Sequence, residues 1–330
     1  MQARHRIILD CDPGVDDAIA ILFALACPEI DLLGITCVTG NKDLSFTAQN
    51  ALRICALVER SDIPVHAGCA RPLMGPYLRK WPSVHGTDGL CDLELPGTPG
   101  VLAKEHAVDF IIRQVLASPG EISLCVIGPM TNIALAIVKA PEIVLLIRSI
   151  VFMGGAAFCP GNSSPLAEFN FLVDPEAAEI VMSSGIPLIM LGLDVTQKVR
   201  IREPHISALE QSGTVSAMAI GAMLRAYGSN DPCLHDPCAV LYYIAPELFS
   251  GMQAHVQVLS NPPEARGSTV AAVSERHLDG RSPNCLLVTD CEADGLMQVL
   301  VDRMSGEVKH ALKVGGRGTS RPESGSPHRM

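Results

Sequence analysis

The chain has 330 residues, 48% hydrophobic and 18% charged, and aromatics at 4% leave it a core of Ile, Leu, Val, Ala and Met, which suits parallel sheet covered by helices. A formal net charge of −10 argues against a nucleic acid or an anionic membrane as main partner and favours an uncharged or cationic small molecule. The twelve cysteines lie in apolar segments without a CxxC pair and read as buried free thiols, while the lack of a signal-peptide h-region or a span-length apolar run predicts a cytoplasmic chain.

Taken in order, Ile7 to Leu9 reads as a buried strand that Pro13 and Gly14 break, and Val15 to Ala26 carries apolar residues at helical spacing. Residues 30–38 predict a strand, 45–60 a helix and 63–68 a short strand. A polar Gly/Pro loop over 70–100 precedes a helix near 101–117, a strand at 122–127, a helix at 130–140 and a strand at 149–155. A Gly/Asn/Ser loop then leads into a helix opened by Asp174 and Pro175 and closed by Gly185. Residues 186–193 form another buried strand, two or three helices reach residue 245, and 254–304 add strand-like segments and a closing helix. This alternation predicts an α/β, Rossmann-like open sheet, mostly parallel and flanked by helices. One domain is expected over 1–304, with a disordered Gly/Ser/Arg-rich tail at 305–330. Ligands of such sheets collect beyond the carboxyl ends of strands, so the corners after Asp10, Val38, Ile127 and Met153 are expected to share one crevice.

The strand-to-helix corner at 6–18 (RIILDCDPGVDDA) crowds Asp10, Asp12, Asp16 and Asp17 together. Favourable interaction with the helix dipole accounts for one or two acids in the first turn. It does not account for Asp10 and Asp12 just before it, whose repulsion weakens the corner unless a cation intervenes. Oxygen-only donors favour Ca²⁺ or Mg²⁺ over zinc, and Ca²⁺ if several ligands belong to the protein.

DCDPGVDDA resembles the signature of the inosine-uridine preferring nucleoside hydrolases. The resemblance continues through VTGN at 38–41, VHGTDG at 84–89, IGPMTNIALA at 127–136, MGGA at 153–156, GNSSPLAEFNFLVDPEAA at 161–178 and LHDP at 234–237, over about the first three quarters of the chain. It implies a Ca²⁺-dependent hydrolase of the N-glycosidic bond of ribonucleosides, assembled as a homodimer or homotetramer. Asp12, Asp17 and Asp236 would ligate the metal with the main-chain carbonyl of Ile127. Asp12 would also be the base for a metal-held water attacking C1′ of the ribose. Asp16 would lie close to metal and ribose, Asn41, Asn162, Glu168 and Asn170 would bind the sugar with Phe169 between them, and Met153 would form an apolar floor. His235 is the candidate for activating the leaving base and His85 a second histidine at the base end.

Two bland readings stand beside these. Asp236 before Pro237 also reads as an ordinary helix N-cap, and a lone histidine such as His235 is often structural. Over 223–234, Arg225 and Tyr227 are the residues able to stack on or hydrogen-bond a base, neither marking purine or pyrimidine. Trp81 sits in a loop that could close over the site or anchor to the surface; His5, His106 and His310 read as solvated. A haloacid dehalogenase-type phosphatase shares the DCD after a strand, but Pro13, Gly14 and the Asp16–Asp17 pair do not fit it. A noncatalytic nucleoside- or calcium-binding protein is the other alternative.

Overall fold

A computed structural model describes residues 4–75, 85–95, 99–227 and 231–306. Trp81, His310, residues 228–230 and the expected tail from 307 onward lie outside the described residues. The strands are β1 His5–Cys11, β2 Ile30–Cys37, β3 Val65–Ala67, β4 Ile122–Val126, β5 Ser149–Met153, β6 Leu188–Leu191, β7 Phe249–Leu259, β8 Ser268–Ala272 and β9 Cys285–Cys291. They form one sheet in the order β3-β2-β1-β4-β5-β6-β9-β7-β8. Pairing is parallel from β3 through β9. At the far edge β7 runs antiparallel to β9 and β8 antiparallel to β7.

The helices are α1 Val15–Ala26, α2 Leu44–Leu57, α3 Ala107–Ala117, α4 Thr131–Lys139, α5 Phe169–Val173, α6 Pro175–Met182, α7 Leu193–Thr196, α8 Glu203–Glu210, α9 Val215–Tyr227, α10 Pro237–Ile244, α11 Glu275–Leu278 and α12 Ala293–Met304. Successive side chains of a strand face opposite sides of a sheet, and β1 does this cleanly. Ile7, Leu9 and Cys11 join one hydrophobic cluster, with residues of α1, α2, α9, α10 and α12. Ile8 joins the other, with residues of α3, α4 and α6. A strand buried on both faces shows no polar alternation, which is why β4, ISLCV, is apolar nearly throughout.

The helix expected from residue 101 starts at Ala107, because His106 caps it, its Nδ1 accepting from Val108 N at 3.3 Å. The loop before Asp174 holds the short helix α5, begun by Glu168. All twelve cysteines are free, and nine of them are buried. Among the described residues no helix is long and apolar enough to cross a membrane. His5, expected to be solvated, is instead half-buried and packs at a tilt on Tyr243, with ring centroids 5.5 Å apart.

In this order β1 has β2 on one side and β4 on the other, so connections diverge there and leave a crevice beyond the carboxyl ends. Two backbone bonds close its floor, Val38 N to Cys11 O at 2.9 Å and Ile127 N to Asp10 O at 2.8 Å.

Candidate active site

The acidic corner is a compact hydrogen-bonded turn. Asp17 Oδ1 accepts from Asp12 N and Oδ2 from Gly14 N, each at 3.0 Å, and Asn41 Nδ2 adds a third bond to Oδ2 at 3.2 Å. Oδ2 therefore has both lone pairs occupied while Oδ1 keeps one. Asn41 N donates to Asp12 Oδ2 at 2.5 Å and Asn41 Nδ2 to Asp12 O at 3.3 Å, so the turn after β2 holds the end of β1. Two glycines make this approach possible: a Cβ on Gly40 would lie 2.0 Å from Asp12 Oδ2, and one on Gly128 would lie 2.6 Å from Asp12 Oδ1.

Carboxylate oxygens of Asp16, Asp17 and Asp236 lie within 4.8 Å of one another, all buried. Asp236 starts α10 with Pro237 at its first position, yet its side chain makes no capping hydrogen bond. It turns into the acidic cluster instead of serving its own helix. Burial, then the charges of Asp16, Asp17 and Asp12, push the Asp236 carboxyl well above the usual range. The same two causes, with Asp16 as the neighbour, raise Asp17 to about 6, and burial followed by Asp17 raises Asp12. Asp16 Oδ1 is buried without a hydrogen-bond partner. A buried cluster of carboxylates with an orphaned oxygen is chemically suited to a hard divalent cation, which removes both the repulsion and the unmet acceptor.

Asp10 is set apart from this cluster. Its Oδ2 accepts from Thr36 Oγ1 at 2.6 Å and Asn132 Nδ2 at 2.8 Å. Asn132 also donates to Cys37 O at 3.2 Å and accepts from Cys69 N at 2.9 Å. Asp10 thus ties together the segments under the crevice, and burial raises its carboxyl to about 7 against the lowering effect of those two hydrogen bonds.

The polar loop contributes from the β5 side. Asn170 Nδ2 donates to Ile127 O at 2.9 Å and to Met153 O at 3.1 Å, leaving its Oδ1 as the acceptor. Glu168 caps α5, with Oε1 accepting from Asn170 N at 2.7 Å and Oε2 from Gly155 N at 2.8 Å and Phe171 N at 3.1 Å. Only Oε1 has a lone pair to spare. Asn162 is exposed and its Oδ1 accepts from Phe169 N at 3.1 Å, while Phe169 itself is half-buried.

Both histidines line the same region. His85 Nδ1 accepts from Val15 N at 3.1 Å and lies 4.0 Å from Asp16 Oδ1. Since Nδ1 is already an acceptor, the ring is neutral with its proton on Nε2, and burial lowers its pKa to about 4. The ring stacks on Tyr227, centroids 5.3 Å apart and planes at 14°. His235 is buried, with Nδ1 2.8 Å from Thr196 Oγ1 and Nε2 3.1 Å from Asp231 Oδ2. Burial works to lower its pKa, but the hydrogen bond and charge of Asp231, with Asp16 and Glu168 behind, carry it above the ordinary imidazole value.

Thr196 and Asp231, the partners of His235, are absent from the sequence expectations. Thr196 gives no sequence signal, whereas Asp231 stands four residues before His235 and is legible as a pair. Arg225 faces away from a base-binding role: it is tied to Glu210 Oε2 at 2.7 Å and Glu203 Oε1 at 2.9 Å on the exposed side of α8 and α9.

A profile of the inosine-uridine preferring nucleoside hydrolases matches residues 7–298. The pyrimidine-specific ribonucleoside hydrolase RihA of Salmonella arizonae is 39% identical over 90% of this chain and 97% of its own. Among solved structures, a purine-preferring ribonucleoside hydrolase from Gardnerella vaginalis superposes with a TM-score of 0.85 at 33% identity, covering 92% of this chain and 98% of its own. The plant nucleoside hydrolase PpNRh1 superposes with a TM-score of 0.86 at 28% identity, covering 91% of this chain and 99% of its own.

Proposed function

The chain belongs to the inosine-uridine preferring nucleoside hydrolase family, and on that premise we propose a Ca²⁺-dependent enzyme that splits ribonucleosides into free base and ribose, with Asp12 as general base. The observation that carries the reading is Asp236, which opens α10 without capping it and joins Asp16 and Asp17 in one buried oxygen cluster. Asp12, Asp17, Asp236 and the Ile127 carbonyl would hold the ion. The bound cation supplies positive charge for vicinal ribose hydroxyls and for the attacking water.

The chain's own groups do the rest. Asp12 takes the proton of the water as its oxygen bonds to C1′ and the bond from C1′ to the base nitrogen breaks. Its Oδ2 already accepts from Asn41 N, so Oδ1 is the oxygen assigned to the water in this reading. Asn170 Oδ1 and the spare lone pair of Glu168 Oε1 accept ribose hydroxyls, with Asp16, Asn41 and Asn162 completing the sugar contacts over Met153 and Phe169. His235 gives a proton to the departing base, exchanging its bond to Asp231 for one to the substrate. His85, a neutral Nε2–H donor against Tyr227, faces the base.

Residues 1–304 act in this reading as one catalytic unit, in a cytoplasmic homodimer or homotetramer. Relatives of similar identity are named pyrimidine-specific and purine-preferring, so the deciding experiment offers a panel. Free base and reducing ribose are measured from inosine, uridine, cytidine and adenosine, with and without chelation and with Ca²⁺ restored. Release that stops on chelation and returns with Ca²⁺ is expected. Release indifferent to chelation would sink the metal role.

A further inference from the structure

A second cluster of donors stands beside the carboxylates and has a different chemistry. Residues 231, 233 and 235 alternate along a stretch that Cys233 anchors as an antiparallel bridge to Arg200. Alternation on extended backbone sends their side chains to one side. A carboxylate oxygen of Asp231, Sγ of Cys233 and a ring nitrogen of His235 accordingly lie within 4.8 Å of one another, with Cys233 and His235 buried and Asp231 half-buried. Three donors around a zinc stand roughly 3.5 Å apart, given zinc–ligand distances of about 2.0–2.3 Å. Asp231 Oδ2 and His235 Nε2 are already 3.1 Å apart, and Cys233 Sγ makes a weak contact with Gln197 O at 3.5 Å that a metal bond would outcompete.

We propose that Asp231, Cys233 and His235 form a second metal site, which takes a borderline-soft divalent ion such as Zn²⁺ and leaves the all-oxygen cluster to a hard one. An oxygen, a sulfur and a nitrogen make three ligands of the kind zinc selects, with a fourth position open to solvent or substrate. The outer partner is also in place. Thr196 Oγ1 lies 2.8 Å from His235 Nδ1, an oxygen that can accept from Nδ1–H when the ion takes the place of the Nε2 proton held towards Asp231. Binding converts the Cys233 thiol to thiolate and passes its proton to solvent, and the ion replaces whatever proton Asp231 and His235 share. Once an ion occupies Nε2, His235 has no proton for a leaving group, so zinc at this site inhibits.

The test uses the full chain saturated with Ca²⁺ and titrated with Co²⁺, whose thiolate complexes absorb by charge transfer. The expected result is a saturable thiolate-to-cobalt band that Zn²⁺ abolishes by displacement and that Cys233→Ser lacks, the variant keeping its basal hydrolysis. Zn²⁺ should inhibit the wild type, with the half-inhibiting concentration raised at least about tenfold in Cys233→Ser and in Asp231→Asn. Absence of the band, or a band undiminished in Cys233→Ser, overturns the site. The absorption needs no turnover, so its failure is distinct from a failure of the nucleoside hydrolase reading.

Discussion

Asn170 donates one amide hydrogen to Ile127 O at 2.9 Å, and by this bond a residue of the loop beyond β5 sets the direction of a carbonyl at the end of β4. Its other hydrogen goes to Met153 O at 3.1 Å, so a single side chain bridges two neighbouring strand ends. A carbonyl oxygen has a second lone pair, and on Ile127 it is the one the proposed cation would use. Asn170→Ala removes the bridge and the acceptor together. The Ca²⁺ concentration for half-maximal hydrolysis should rise by about 10–100-fold, read from activity against buffered free Ca²⁺. An unchanged calcium dependence with a raised KM would confine Asn170 to the sugar.

Asp12→Asn separates catalysis from folding. Its carboxyl is buried among Asp17, Asp16 and Asp10, all of which make its charge costly. An amide of the same shape relieves that repulsion but cannot take a proton. Turnover should fall by at least about 10²–10⁴-fold, while the Tm of the chelated protein holds or rises. Turnover near the wild-type level would remove Asp12 from the base position.

How much of this is legible in the sequence depends on the range over which each residue finds its partners. The corner from Asp10 to Asp17 is local, and the crowding of its carboxylates points to a cation from the order of residues alone. Asp236 needs the family resemblance, because Asp-Pro before a helix otherwise reads as a cap; only the folded chain shows that no capping bond forms. Glu168 shows the reverse, since a residue read as a sugar ligand also caps α5, a helix of five residues that is too short for a periodic signal. Asn132 and Thr196 act through hydrogen bonds spanning 122 and 39 residues of chain, and no spacing rule finds those. Arg225 is drawn towards the base by position alone, whereas helical geometry turns it to Glu203 and Glu210.

Metal removal should be visible in stability as well as in rate. An ion that binds only the folded state contributes about 2.7 kcal/mol at a hundred times its Kd. Wild-type Tm should therefore climb with Ca²⁺ after chelation. In Asp236→Asn the cluster loses one of its three mutually close carboxylates, so the climb should require far more Ca²⁺. Thermal melts across a calcium series measure both, and equal shifts in the two proteins would take Asp236 out of the ligand set.

His235→Ala tests proton delivery to the leaving group. A natural purine or pyrimidine must be protonated or otherwise stabilised as it departs, whereas nitrophenolate leaves as a stable anion. The variant should lose about 10²-fold or more on inosine or uridine and much less on a nitrophenyl riboside. Equal losses on both substrates would make His235 a group that positions the sugar.

The segment bearing His85 supplies a pH dependence of its own, through a carboxylate outside the acidic cluster. Asp88 Oδ2 accepts from Arg53 Nη1 at 2.9 Å, and Oδ1 from Leu90 N at 2.8 Å and Asp92 N at 3.0 Å. Asn50 Nδ2 then joins Asp88 O at 2.9 Å to Pro13 O at 3.1 Å, so this turn is fastened to the acidic corner itself. Burial acts to raise the Asp88 pKa, but the Arg53 bond and the two backbone donors outweigh it and hold the carboxyl below its ordinary value. A carboxylate whose folded pKa is depressed contributes stability that is present above the unfolded value of about 3.9 and is lost as pH falls through the folded one. Asp88→Asn keeps the shape and deletes the charge. Its Tm deficit against the wild type should be full at neutral pH and shrink below about pH 4, and its KM for nucleoside should rise as the turn that follows His85 loosens. A deficit that stays constant into acid would mean that Asp88 acts through shape alone.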